Sequence, residues 1–152
     1  MRYVLLVLAV LGIVVSSLAL REHYREYGDS PCSINERWDC GVVNHSKYAL
    51  VGGAVPALAS IPGLATLPVA TAGIIGYVLM SVLAWLRSYR LLLLFTLAGL
   101  AFSLYLANIE KTVLGVWCIY CVISLGIICL LSVLEVTVVI SGFVRRPTSP
   151  GP

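Results

Sequence analysis

The chain has 152 residues, 60% of them hydrophobic and 11% charged, with a net charge of +3 and a mean hydropathy of +0.99. An apolar share so far above the roughly 45–50% of soluble domains excludes an ordinary soluble protein and predicts an integral membrane protein of a single domain, 1–152. The positive charge is too small to imply nucleic acid or an acidic substrate, so no nucleic-acid partner is expected, and it acts as a topological signal instead.

Apolar runs long enough to cross a bilayer, about 17–25 residues each, fall at 3–20, 68–86, 91–107 and 113–140. They predict an all-α bundle of four transmembrane helices. Residues 87–90 read as a tight turn, 108–112 as a short connector before the last span, and 21–67 as one long loop. Within that loop, 48–67 is uncharged but holds Gly52, Gly53, Pro56, Pro62 and Gly63. These residues favour a broken, membrane-dipping backbone over a fifth span. With four spans and the N-terminus inside, Arg2, Arg87, Arg90, Arg145 and Arg146 are all cytoplasmic, whereas five spans would put four of them outside, against the positive-inside rule. Both termini are therefore expected in the cytoplasm of a multi-pass cell-membrane protein, with the long loop and 108–112 on the extracytoplasmic face. A cleavable signal peptide over 1–20 is the other reading of the N-terminus, but no clear small-x-small cleavage site precedes Arg21.

The cysteines follow in chain order. Cys32 and Cys40 lie in the polar stretch "SPCSINERWDCG", Cys118 and Cys121 open the last apolar run in "GVWCIYCVIS", and Cys129 sits deeper. On a helix, residues three apart share a face, so Cys118 and Cys121 can close a small, easily reduced disulfide. A helix start there would favour the thiolate. The plainer reading is a pair of small packing residues. Cys32 and Cys40 can approach to the roughly 4.4–6.8 Å between Cα atoms that a disulfide needs if "SINE" folds back as a turn. Such a bridge is either a structural staple or part of a redox chain, and two pairs on one face of a membrane favour a relay. The competing zinc or iron–sulfur site lacks the usual short ligand spacing at Cys32 and Cys40, so no metal is expected.

The remaining polar residues read as structural. His23 is expected solvated at the membrane surface and His45 as a single loop histidine. Cys129 should pack, and Glu135 should reach the interface or meet Arg87 or Arg90. Trp38 either docks the loop on the membrane or shields the disulfide.

The helix order, the outer-loop pair "CSINERWDCG", the following Ser in "NHSKYA", the entry "LPVATAGIIGY" and "WCIYC" opening the fourth helix together resemble the vitamin K epoxide reductase family, prokaryotic type. The other four-helix, quinone-linked family that makes disulfides carries its cysteine pairs in the reverse order. The resemblance implies a quinone-dependent thiol–disulfide oxidoreductase supporting disulfide formation in exported proteins. A reduced thioredoxin-like extracytoplasmic partner would exchange with Cys32 and open Cys32–Cys40. Cys40 would then attack Cys118, leaving Cys121 to face a lipid quinone of the menaquinone, ubiquinone or vitamin K type. Candidate quinone-lining residues are Ser46, Tyr77, Trp117 and Tyr120, with Val42, Val43 and Ile123 as apolar wall. Epoxide-reducing members carry an Asn near the start of helix two and a Tyr one turn past Cys-x-x-C, where this chain has Val69 or Ala72 and Leu125. That departure favours quinone reduction over epoxide reduction. The non-enzymatic alternative is a small membrane scaffold with inert disulfides.

Overall fold

The computed structural model of the protein describes residues 1–26 and 30–144. Arg145 and Arg146, whose side of the membrane the sequence reading assigns, lie outside the described residues. Continuous runs of Leu, Val, Ile and Ala form the long helices α1 (Arg2–His23), α4 (Val69–Trp85), α5 (Tyr89–Ile109) and α6 (Ile119–Val144). Between α1 and α4 the described residues form short turns of helix, among them α2 (Cys40–His45) and α3 (Val51–Ala54). Among the described residues there is no strand beyond isolated bridges.

Among the described residues, three helical stretches are long and apolar enough to cross a membrane: Arg2–His23, Tyr89–Leu114 and Ile119–Ser141. The expected second span is shorter. Helix α4 has 17 residues, which at 1.5 Å per residue rise about 25 Å, less than a hydrocarbon core of about 30 Å.

Helix ends also differ from expectation. Residues 108–112, expected as a connector, are helical, because α5 runs on through a π-helical turn at Glu110–Leu114. The helix then stops at Gly115, whose φ of 69° is the left-handed conformation that glycine adopts without strain. The last helix consequently begins at Ile119 rather than 113. At the opposite end, α4 closes with the Ser88 amide on the Leu83 carbonyl and the Arg87 amide on Ala84. This Schellman closure holds Arg87 at φ 57°.

Helix α1 packs on α4 and α6, and α5 packs on α6. Leu5, Met80, Leu83, Leu92, Ile128 and Leu131 form the core between them. Gly12 lets α1 close on α4, since a β-carbon there would run into the Tyr77 ring. The outer faces are apolar too, with Val7, Ile75, Leu94 and Val133 exposed. A surface of this kind is stable against lipid and not against water. Glu135, expected to reach the interface or meet Arg87 or Arg90, is fully buried and accepts a hydrogen bond of 2.7 Å from Thr96.

Residues 48–67 form no continuous helix. The chain folds back so that the Val51 amide meets the Leu67 carbonyl at 2.9 Å and the Gly52 amide meets Ala65 at 3.1 Å. The Tyr105 hydroxyl of α5 holds this fold through the Ala54 carbonyl at 2.9 Å.

Candidate active site

Asp39 builds the site's first element. Its carboxylate caps α2 by accepting from the Val42 amide at 3.1 Å and from the Ser33 hydroxyl at 2.7 Å. Burial alone would raise the Asp39 carboxyl, but the hydrogen bonds from Ser33, Val42 and Gly41 outweigh it and hold the group below its ordinary value. The cap sets Cys40 as the first residue of α2, and the turn before it brings Cys32 back to a Cα separation of 5.7 Å, where the two are disulfide-bonded.

A backbone zipper then carries that loop to the second pair. The Trp117 amide donates to the Arg37 carbonyl at 2.9 Å, and the Asp39 amide donates to the Trp117 carbonyl at 3.1 Å. Trp38 and Trp117 thus run parallel as a bridge, and the residues that follow, Cys40 and Cys118, enter one buried cluster. Cys32, Cys40, Val43 and Cys118 form its centre, and Cys121 packs against it. Both Cys40 and Cys118 are completely buried. Asn44 links them: its Nδ2 donates to the Cys40 carbonyl at 2.9 Å and reaches the Cys118 sulfur at 3.6 Å.

Cys118 lies just ahead of α6 and acts as its cap, with the Val122 amide on its carbonyl at 3.1 Å. Cys118 and Cys121 are free thiols that share a hydrogen bond. They therefore face each other across the first turn of the helix rather than along its middle. Glu110 closes the group from below. It is 3% exposed, its Oε2 accepts the Cys118 amide at 3.1 Å, and its carboxyl takes a hydrogen bond from the Cys121 thiol.

Beside this group is a cavity of about 220 Å³ with mainly apolar walls, drawn from α1, the loop, α4, α5 and α6. Ser46, Tyr77, Tyr120 and Val43 line it, as do Cys121 and Glu110. Trp117, Val42 and Ile123 are not among the described lining residues; Trp117 is held instead by the zipper to the loop, and Ile123 is exposed on the outer face of α6. Tyr77 points its hydroxyl at Ser124 Oγ, 2.9 Å away. His23 is not a solvated surface group. It lines the cavity with Nδ1 2.6 Å from the Asn44 carbonyl. His45 ties α2 to the end of α1, with its ring nitrogens 2.9 Å from the Gly41 carbonyl and 2.8 Å from that of Arg25.

The model of the vitamin K epoxide reductase family matches residues 3–136. The chain belongs to the vitamin K epoxide reductase family. No curated protein matches it in a direct comparison. Members of the vitamin K epoxide reductase family use quinones. Among the described residues no cluster of His, Cys, Asp or Glu could hold a metal ion.

Two residues of the site escape sequence reasoning. Asn44 is 74 positions from the sulfur it reaches, and no local pattern carries that pairing. Glu110 reads as part of a polar connector. Its signal was the lone carboxylate in "NIEKTVLGVWC", just outside an apolar run that opens with a cysteine pair.

Proposed function

We propose that this chain is a membrane thiol oxidase that takes electrons from a thioredoxin-like extracytoplasmic protein and delivers them to a lipid quinone, as a single domain of four spans. The observation that carries this reading is the juxtaposition of a Cys32–Cys40 disulfide with the Cys118–Cys121 dithiol in one buried cluster beside an apolar cavity. Inert staples have no need of a second, free pair in contact with the first.

The order of transfer follows from access. Cys32 is the less buried member of its pair, and Cys40 lies against Cys118. The acceptor first takes two electrons and two protons from the Cys118–Cys121 dithiol through Cys121, which lines the cavity, and the inner pair closes as a disulfide. A partner dithiol opens Cys32–Cys40 at Cys32 and leaves oxidised; the released Cys40 thiolate attacks Cys118 of the inner disulfide and returns Cys121 as a thiolate, and Cys32 closes again on Cys40 and frees Cys118. Ser46, Tyr77 and Tyr120 shape that acceptor site. Val69 and Ala72, at the positions where the epoxide-reducing pattern has Asn, line the cavity without a hydrogen-bonding side chain, and Leu125 packs against the core. Plain quinone reduction is the chemistry this lining supports.

Quinone reduction in detergent, with a reduced thioredoxin-like donor, tests the relay. Cys121→Ala should abolish turnover with any donor. Cys32→Ala should lose turnover with the protein donor but keep it with a small dithiol, which can reach the inner pair directly. Equal activity of Cys121→Ala and wild type would end this reading.

A further inference from the structure

A dithiol that reduces a quinone releases two protons along with two electrons, and the walls of the cavity are mainly apolar. The structure contains a group placed to move them. Glu110 is buried, lines the cavity, and is bonded both to the Cys118 amide and to the Cys121 thiol. Both neighbours are donors, so the carboxylate form satisfies them. A carboxyl placed here has no structural need to be acidic, since a glutamine oxygen would accept the same amide.

We propose that Glu110 is the proton-transfer group of the Cys118–Cys121 pair, taking the thiol protons as the disulfide closes and passing them to the reduced acceptor. The assignment rests on the quinone-reducing relay above. As the Cys118–Cys121 bond forms, the two sulfurs give up two electrons to the quinone, which becomes a hydroquinone by gaining two protons. The Cys121 proton leaves first, to Glu110, which releases it at an acceptor oxygen. The Cys118 proton follows through the thiol–thiol hydrogen bond to the same carboxylate, which ends unchanged. Other titratable groups face the same cavity: His23 from α1, Tyr48 from the loop, Tyr77 from α4 and Tyr120 from α6. Tyr77 is committed to Ser124 and His23 to the Asn44 carbonyl. Lys111, the neighbouring charge on the π-helical turn, is exposed. Of these groups, Glu110 is the one hydrogen-bonded to the thiol pair among the described residues.

Two readouts test this on the full-length protein in detergent. The first is the pH profile of quinone turnover. General acid–base groups contribute about 100-fold or more, so Glu110→Gln should lower the rate by about 100-fold and remove the acid limb, while Glu110→Asp retains that limb at reduced rate. The second is the rate of Cys121 alkylation against pH, read by peptide mass spectrometry with no quinone present. Loss of the neighbouring negative charge favours the thiolate, so Glu110→Gln should be alkylated at lower pH than wild type even as its turnover falls. A purely structural role would move both readouts together. Wild-type turnover with Glu110→Gln within about threefold of it and an unchanged pH profile overturns the assignment. If wild type itself reduces no quinone, the relay is what fails, and the assignment falls with it.

Discussion

The Asp39 carboxylate accepts from both arms of the turn that carries the outer disulfide, the Ser33 hydroxyl on one side and the Val42 amide on the other. Because these bonds hold it below its ordinary value of about 3.8, the sign of its pH dependence is fixed. A depressed carboxyl contributes stability that is fully present above the unfolded value and is lost as pH falls through the folded one. The loop should therefore hold its disulfide equally well from neutral pH down to about pH 5 and loosen below about pH 4. Reduction of Cys32–Cys40 by a phosphine, followed against pH, should accelerate over that acid range. Asp39→Asn, which still caps a helix, should flatten the acid step, and an acid step that persists in the variant would show that another carboxyl sets it. At this scale the sequence displays the cysteines but not their neighbours. Cys32, Cys40, Cys118 and Cys121 stand out because sulfur in pairs is rare. Asn44 and Glu110 do not, because their roles exist only once distant segments meet.

The apolar runs make the existence of α1, α4, α5 and α6 legible, since backbone polar groups in lipid leave little but helix. Their ends are not legible in the same way. "NIEKT" is polar enough to read as a connector, yet α5 continues through it because Glu110 is turned inward to Cys118 rather than outward to solvent. The stop is set by backbone conformation at Gly115, which hydropathy does not register. Two glycines give a graded test of such backbone roles. At Gly115 a β-carbon would meet nothing within 4 Å, so Gly115→Ala costs only the left-handed strain, about 1–2 kcal/mol. At Gly53 a β-carbon would run into the Lys47 carbonyl, which is backbone and cannot swing aside. Thermal unfolding in detergent should rank Gly53→Ala as the less stable of the two. The reverse ranking would mean that the fold of residues 47–65 yields easily and contributes little to holding Ser46 at the cavity.

The bundle has two chemically distinct ends. Arg2, at the start of α1, lies 5.1 Å from the Trp85 ring near the end of α4, and the α4–α5 turn with Arg87 and Arg90 follows directly. The cysteine cluster and the π-helical turn gather at the other end, where α1 finishes at His23 and α6 begins at Ile119. This separation was partly legible in sequence, because alternating spans must place 2, 87 and 90 together, whichever way the bundle faces. What hydropathy could not supply is the zipper that draws the loop over the start of α6. Lysines and arginines favour the cytoplasmic side, so the arginine end should face inward and the cysteine end outward, where oxidising conditions preserve disulfides. Thr112 is exposed at the cysteine end and Ser88 sits in the arginine-end turn. In intact cells a membrane-impermeant maleimide should label Thr112→Cys above the wild-type background, and label Ser88→Cys only after permeabilisation. The opposite pattern would put both cysteine pairs in a reducing cytoplasm. Electrons would then have to enter from a cytoplasmic carrier, and disulfide formation in exported proteins would no longer be the output that the bundle's polarity supports.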